Sequence, residues 1–509
     1  MTANPTAPAT PVQHPTWYAN VRGMFRSPDI SCMRGQGIDL ASYADVSDHA
    51  GDIYQQVAEG NMPMGGPAWT SDKVATFKNW MDDGYPKGTP MPIAIAQLAA
   101  SNPNLRTRKD ITTLSGPELD KLKAAFTAIM AREPSDPNSY FAQAAIHWYP
   151  APNTYCMHHV PGYNPWHRAY MLSFENALRS VPGCEDVTLP YWDITTPFPD
   201  ILKNPPFDKY VFQADVGPDP YSKGYVTNRN DYATIEVNLQ RYKVTEAIAR
   251  ALTKTDWEDF HGYFAEPAPA HNTIIFAHDA GHDSIGPTMG DQDVAAFDPV
   301  FWFFHCNWDR LFWKWQTLVQ GTVLNGLIST IDKNGDETSY QIFTDAALES
   351  INPFSAAPLN LKTTDVIDSV NSLNVQYTDP PAAAPAQMVA KTEMAALASR
   401  RFTVDTSRVN VRVKGINRLK IPGTFRVHLL KDGKEIARAA FFQPSEVEKC
   451  ATCAENAIAT FDFELPIEQV GDGQFSVQVE PTRPELVKGP LRNKDIGDPR
   501  VEVCFILSG

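Results

Sequence analysis

The segment from 297 to 316, FDPVFWFFHCNWDRLFWKWQ, constrains this chain more than any other stretch. Its aromatic and aliphatic residues leave almost no polar face. It therefore reads as a helix buried on all sides, with Asp298 as N-cap and Pro299 as the first helical residue. A histidine at 305 in such surroundings must hydrogen-bond or ligate, because an unsatisfied buried polar group costs about 1–3 kcal/mol. Upstream, the HDAGH motif holds His278 and His282. That spacing puts both rings on one helical face, with Cβ atoms about 5–6 Å apart.

A second set precedes these three. His147 ends the helical pattern SYFAQAAIHW, His158 sits in the loop TYCMHHVPGYNPWHRAY, and His167 opens HRAYMLSFENALRSV. Gaps of eleven and nine residues cannot share one helical face, so only tertiary folding brings these rings together. An isolated H-x-x-x-H is weak evidence, since a paired core or surface histidine is the commoner case. Two sets of three imidazoles, with no carboxylate placed for a two-His-one-carboxylate site, point to a pair of metals drawn from copper, zinc and iron.

With 509 residues, 43% of them hydrophobic, the chain can build two or three domains. A net charge of −15 argues against nucleic acid or an anionic membrane surface as partner and favours a small molecule. The first twenty residues show no basic region followed by an apolar run, which gives the expectation of a soluble, cytoplasmic protein without its own export signal. Seven scattered cysteines do not suggest a disulfide scaffold. Assembly into a homo-oligomer stays open.

Composition and periodicity divide the chain. Residues 1–20 are rich in Pro, Thr and Ala and are expected to be disordered. Residues 21–103 read as a helical extension, with Ser71 or Asp72 as an N-cap and Gly84 as a stop. Residues 104–380 form a mostly helical core, entered through a capping box from Ser115 to Glu118. Residues 381–399, which the PPAAAPAQ run from 380 to 387 leads into, read as a linker. In 400–509 the period switches to two (RVNVRVKG, TFRVHLL, FDFEL, QFSVQVE, RVEVCFIL), which predicts an antiparallel β-sandwich.

The motifs C-M-H, WHR nine residues on, HRAYMLSFE, LPYWDI and HDAGH…FDPVFWFFHCNWDRLFWKWQ resemble the type-3 copper proteins, that is tyrosinases, catechol oxidases and molluscan haemocyanins, over about residues 104–320. The resemblance implies a mainly α core, a four-helix bundle around a dinuclear copper site, with the β domain as a lid. It implies that His147, His158 and His167 hold one of two copper ions, and His278, His282 and His305 the other. Phenols and O2 are then the expected small-molecule partners. Fungal members suggest a thioether between Cys156 and His158; a plain buried thiol is the alternative. The pair Phe441-Phe442 resembles the aromatic plug of such lids. Cys450-Ala-Thr-Cys453 resembles a copper-loading pair, as soft thiolates suit Cu(I), with a plain or disulfide-forming pair as the alternative.

The chain departs from the family at three places. Asp279 replaces the usual Asn after the first ligand of the second site, where the resemblance implies either help in deprotonating a monophenol or a fixed acceptor for the His278 ring. Glu266 is a poor positional match for the partner glutamate. Phe304 replaces the first histidine of a His-His pair. Asp309 is expected to pair with Arg106 or Arg108 as structural support. His159 is expected to lie behind the ligands or at the surface. The implied activity is that of a tyrosinase, with a catechol or o-aminophenol oxidase as the near alternative and an oxygen carrier as the remote one.

Overall fold

The computed structural model describes residues 11–63, 67–88, 105–150, 155, 157–262, 273–332, 337–378, 403–450, 453, 456–487, 489 and 491–508. The expected linker at 381–399, Cys156 and Glu266 lie outside the described residues.

Four helices dominate the core: Gly116–Met130, Tyr163–Arg179, Ile274–Ile285 and Val300–Leu318. The first opens on the expected capping box, where the Ser115 N–H donates to Glu118 Oε2 at 2.9 Å. The last begins at Val300, whose N–H is taken by Asp298 Oδ1 at 3.0 Å, so the signal read at Asp298 and Pro299 is displaced by one residue. Its five tryptophan and phenylalanine neighbours of the histidine, Phe301, Trp302, Phe303, Phe304 and Trp308, are all buried. Ring contacts tie this helix to its partners, with Phe174 stacked on Trp302 at 3.5 Å and Phe126 on Phe303 at 5.4 Å.

The two ends of the core meet. Strand β1, Arg106–Arg108, pairs in parallel with β2, Val375–Tyr377. Beneath them lies a buried charge cluster. Asp309 accepts from Arg168 Nε at 2.6 Å, from Arg108 Nη1 at 3.2 Å and from the Tyr377 hydroxyl at 2.6 Å. Glu175 takes Arg106 and Arg108. The partner expected from sequence, Arg108, is present; Arg106 instead reaches Glu175, and the second partner is Arg168.

The N-terminal region departs from expectation. Residues 11–20 are ordered by contact, not disordered, because Trp17 is fully buried against Trp80 and its N–H is held by Pro86 O at 2.9 Å. Low hydropathy around one tryptophan concealed that anchor. The helix Ser71–Asp82 is capped by Thr70, one residue before the expected cap, and stops before Gly84, which has φ +76°. The extension is docked on the core: the Arg22 guanidinium donates to Val319 O at 2.8 Å and Gln320 O at 2.9 Å.

The C-terminal domain is a sandwich of two three-stranded antiparallel sheets. One orders β6 (Ile458–Pro466), β3 (Thr403–Asn417) and β8 (Arg500–Ser508). The other orders β5 (Lys434–Phe441), β4 (Phe425–Lys431) and β7 (Phe475–Pro481). The alternating apolar positions Val409, Val411 and Val413 face Phe461, Phe463 and Leu465 inward, as the period of two requires. The β4–β5 hairpin lies against the helix Ile274–Ile285, where Arg426 grips Asp283 through Nε at 2.9 Å.

Candidate metal centre

His147 follows the short helix Tyr140–Ala145, His158 is in a loop, and His167 lies in the first turns of Tyr163–Arg179. His278 and His282 project from Ile274–Ile285, and His305 from Val300–Leu318. These elements bring the six rings together as two buried sets, His147–His158–His167 and His278–His282–His305, with the nitrogen atoms of each set within 4.8 Å of one another. The sets face each other: His167 and His305 stack at 4.7 Å, and His158 and His278 at 5.5 Å.

Four of the rings are oriented by the protein through Nδ1. His147 donates to Gln292 O (3.2 Å), His167 to Tyr163 O (2.8 Å), His282 to Met289 O (2.7 Å) and His278 to Asp279 Oδ1 (2.8 Å). Since carbonyls and carboxylates only accept, Nδ1 carries the proton in each and the Nε2 lone pair is left for a ligand. Nε2 of His147, His167 and His278 is buried without a protein hydrogen-bond partner, and Nε2 of His282 faces Nε2 of His305 at 3.2 Å. Burial holds all six rings neutral: the pKa of His167 is lowered to about 3 and those of the other five well below the ordinary range. Neutral, oriented imidazoles with orphaned inward nitrogens fit a cation at each set. The absence of a carboxylate in either set suits copper.

The β domain covers the space between the sets. The Phe442 ring, one residue past the end of β5, stacks on His282 at 3.9 Å and lies 5.2 Å from His158, 5.8 Å from His278 and 6.4 Å from His147. Of the two candidate plugs, Phe441 is not over the site. The alternation of β5 turns its ring away, onto His159 at 4.0 Å and 7°. His159 is correspondingly buried and not at the surface.

Asp279 is also buried, and burial raises its pKa. Its Oδ1 accepts from His278, while Oδ2 accepts from the Phe442 N–H at 3.0 Å and lies 3.1 Å from His159 Nε2. Both oxygens are thus engaged. Around the rim, core acceptors meet lid donors: Asp283 with Arg426, Asp291 with Arg483 Nη1 at 3.0 Å, and Asp293 with the Ser445 N–H at 3.1 Å. Burial, reinforced by Asp291, pushes Asp293 up to about 8.

Cys450 and Cys453 are joined as a disulfide, which corrects the expectation of free copper-loading thiolates. Their Cα atoms, 5.2 Å apart across a C-x-x-C turn, lie within bridging range, and bonded sulfurs have no thiolate to offer. Of the two positions expected for His159, behind the ligands or at the surface, the structure has the first, and sequence reasoning missed Arg168. Arg168 had a usable signal, because an arginine inside an otherwise buried helix requires a buried acid.

The family model for the common central domain of tyrosinase matches residues 137–318, which include all six histidines. Haemocyanin 1 of Megathura crenulata is 28% identical over 229 residues, covering 42% of this chain and 6% of the relative. Tyrosinase HcTyr1 of Hahella sp. (strain CCB-MM4) is 27% identical over 252 residues, covering 42% and 53%. The chain thus spans about half or less of the length of these two relatives. Among solved structures, a tyrosinase from Burkholderia thailandensis aligns with a TM-score of 0.57 at 21% identity, covering 78% of this chain and 100% of that one. A pro-tyrosinase from Aspergillus oryzae aligns at 0.55 and 17%, covering 78% and 91%. Residues 137–318 thus match the common central domain of tyrosinase, and the two triads they carry are able to bind two copper ions.

Proposed function

We propose that this protein is a tyrosinase, which hydroxylates monophenols ortho to their oxygen and oxidises o-diphenols to o-quinones with O2. One observation carries the reading: a single aromatic ring, Phe442, is already accommodated over both triads, stacked on His282 at 3.9 Å. A phenol ring fits the same space once the lid strand turns away. Two bound copper ions supply O2 binding and the electrons for its reduction. The chain's own residues orient and enclose. His282 offers its face to the substrate ring, and the buried aromatic wall of Phe301 and Phe304 excludes water. Departure of Phe442 removes its N–H from Asp279 Oδ2. That frees one acceptor position on an oxygen that still faces His159 Nε2, and a phenol hydroxyl can take it by its proton.

A second reading, a catechol oxidase without hydroxylation, is favoured by the engagement of both Asp279 oxygens with protein donors. Oxygen uptake by the copper-loaded protein, on a monophenol and on its matching diphenol, separates them. Turnover of both supports the tyrosinase, turnover of the diphenol alone supports the second reading, and reversible O2 binding without turnover of either sinks both.

A further inference from the structure

His158 is supplied by a loop, whereas His278 is on the helix Ile274–Ile285. The residue after His158 bridges the gap. His159 has φ +54°, a left-handed conformation that costs a non-glycine residue about 1–2 kcal/mol. Its ring leaves the direction of His158, slides beneath Phe441 and puts Nε2 3.1 Å from Asp279 Oδ2 and 3.1 Å from Phe442 O. Both neighbours are acceptors, so Nε2 carries the proton. The other oxygen of Asp279 takes the Nδ1–H of His278.

We propose that His159 and Asp279 form a brace that fixes the spacing of the two metal positions, with His159 and Asp279 as positioning residues. The chain His158–His159···Asp279···His278 connects one ligand of each triad through a 3.1 Å contact of His159 Nε2 with Asp279 Oδ2 and the hydrogen bond from His278 to Asp279 Oδ1. The same carboxylate oxygen accepts the Phe442 N–H, so the lid rests on the brace. The inference depends on the copper ions and not on the phenol chemistry proposed above, and its test measures no turnover.

The full-length protein and its variants are loaded with Cu(I), copper per chain is counted, and metal–metal scattering is read by X-ray absorption. His159→Phe keeps the stack on Phe441 and removes the donor. His159→Gln retains a donor. Asp279→Asn turns an N–H2 toward His159 and the Phe442 N–H. Two coppers per chain are expected in all three. The metal–metal scattering should fall at least twofold in His159→Phe and Asp279→Asn and return in His159→Gln. Parental scattering in His159→Phe overturns the brace, as does His159→Gln behaving like His159→Phe, or equal loss of both coppers. Should His159→Phe fail to fold, Asp279→Asn and His159→Gln decide by the same criterion.

Discussion

The Phe442 ring lies on the face of His282, centroids 3.9 Å apart with 16° between the planes. On the function proposed above, this ring occupies the volume that a substrate ring needs, and its contribution is measurable. An aromatic stack of this kind is worth about 0.5–1.5 kcal/mol, so Phe442→Ala should raise the open population, and with it diphenol oxidation by the intact chain on the function proposed above, about two- to twelvefold. Stopped-flow oxygen consumption gives the answer, and an unchanged rate means that opening is governed elsewhere.

The opening force is set by the rim. Asp293, pushed up to about 8 by burial and by Asp291, binds a proton in the docked state that it releases when exposed. A carboxyl whose pKa is raised in the docked state contributes fully to docking below its ordinary value of 3.8 and loses that contribution as the pH rises through the docked value. Docking of the β domain should therefore weaken as the pH rises toward about 8 and level off above it. Asp293→Asn, permanently neutral, should flatten the profile. Limited proteolysis across pH 6–9 reports it; a profile as steep in Asp293→Asn as in the parent refutes the assignment.

The histidines carry the opposite sign. All six are lowered by burial, His167 to about 3 from an ordinary 6.5, so the unfolded chain binds more protons than the folded one below that value. Copper-free protein should be fully stable above about pH 6.5 and lose stability progressively as the pH falls from there. Copper competes with those protons and should delay the loss. Urea unfolding of both forms at pH 7.5 and 5.5 measures the difference, and superimposable shifts would contradict it.

Asp309 holds Arg108, Arg168 and Tyr377 in a space closed to water. Asp309→Asn leaves the buried Arg168 guanidinium without its carboxylate, while Arg108 keeps Glu175, with an expected cost of about 3–5 kcal/mol. The loss should appear as a lower denaturation midpoint while copper per chain stays at two in the protein that remains folded. A shift below about 1 kcal/mol would mean that the cluster is satisfied in another way.

What was legible in the sequence follows chain-local physics. The buried helix around His305 declared itself by its lack of a polar face, the HDAGH pair by the helical period, and the sandwich by alternation at Val409, Val411 and Val413. Convergence of His147, His158 and His167 needed the family resemblance, since nothing local relates residues eleven and nine apart. The role of His159 was unreadable for a different reason. It depends on a left-handed turn and on two residues more than a hundred positions away, Asp279 and Phe441. Trp17 was lost in a polar, proline-rich stretch because one aromatic residue scarcely moves a window average, although it anchors the extension to Trp80.

Gly281, between the two ligands of HDAGH, tests how tightly the second triad is packed. A Cβ there would stand 2.7 Å from the Phe304 ring and 3.0 Å from Ile194. Phe304 in turn touches all three ligands, with its ring 4.6 Å from His282, 5.3 Å from His305 and 5.8 Å from His278. Gly281→Ala should therefore cost about 1–3 kcal/mol by overpacking and displace Phe304 against His282. Copper should be lost selectively from one of the two positions, giving a stoichiometry nearer one than two. The double variant Gly281→Ala/Phe304→Leu makes room for the methyl group and should recover most of the second copper. If the single variant keeps two coppers with parental affinity, the ring is free to move and does not hold the triad in place.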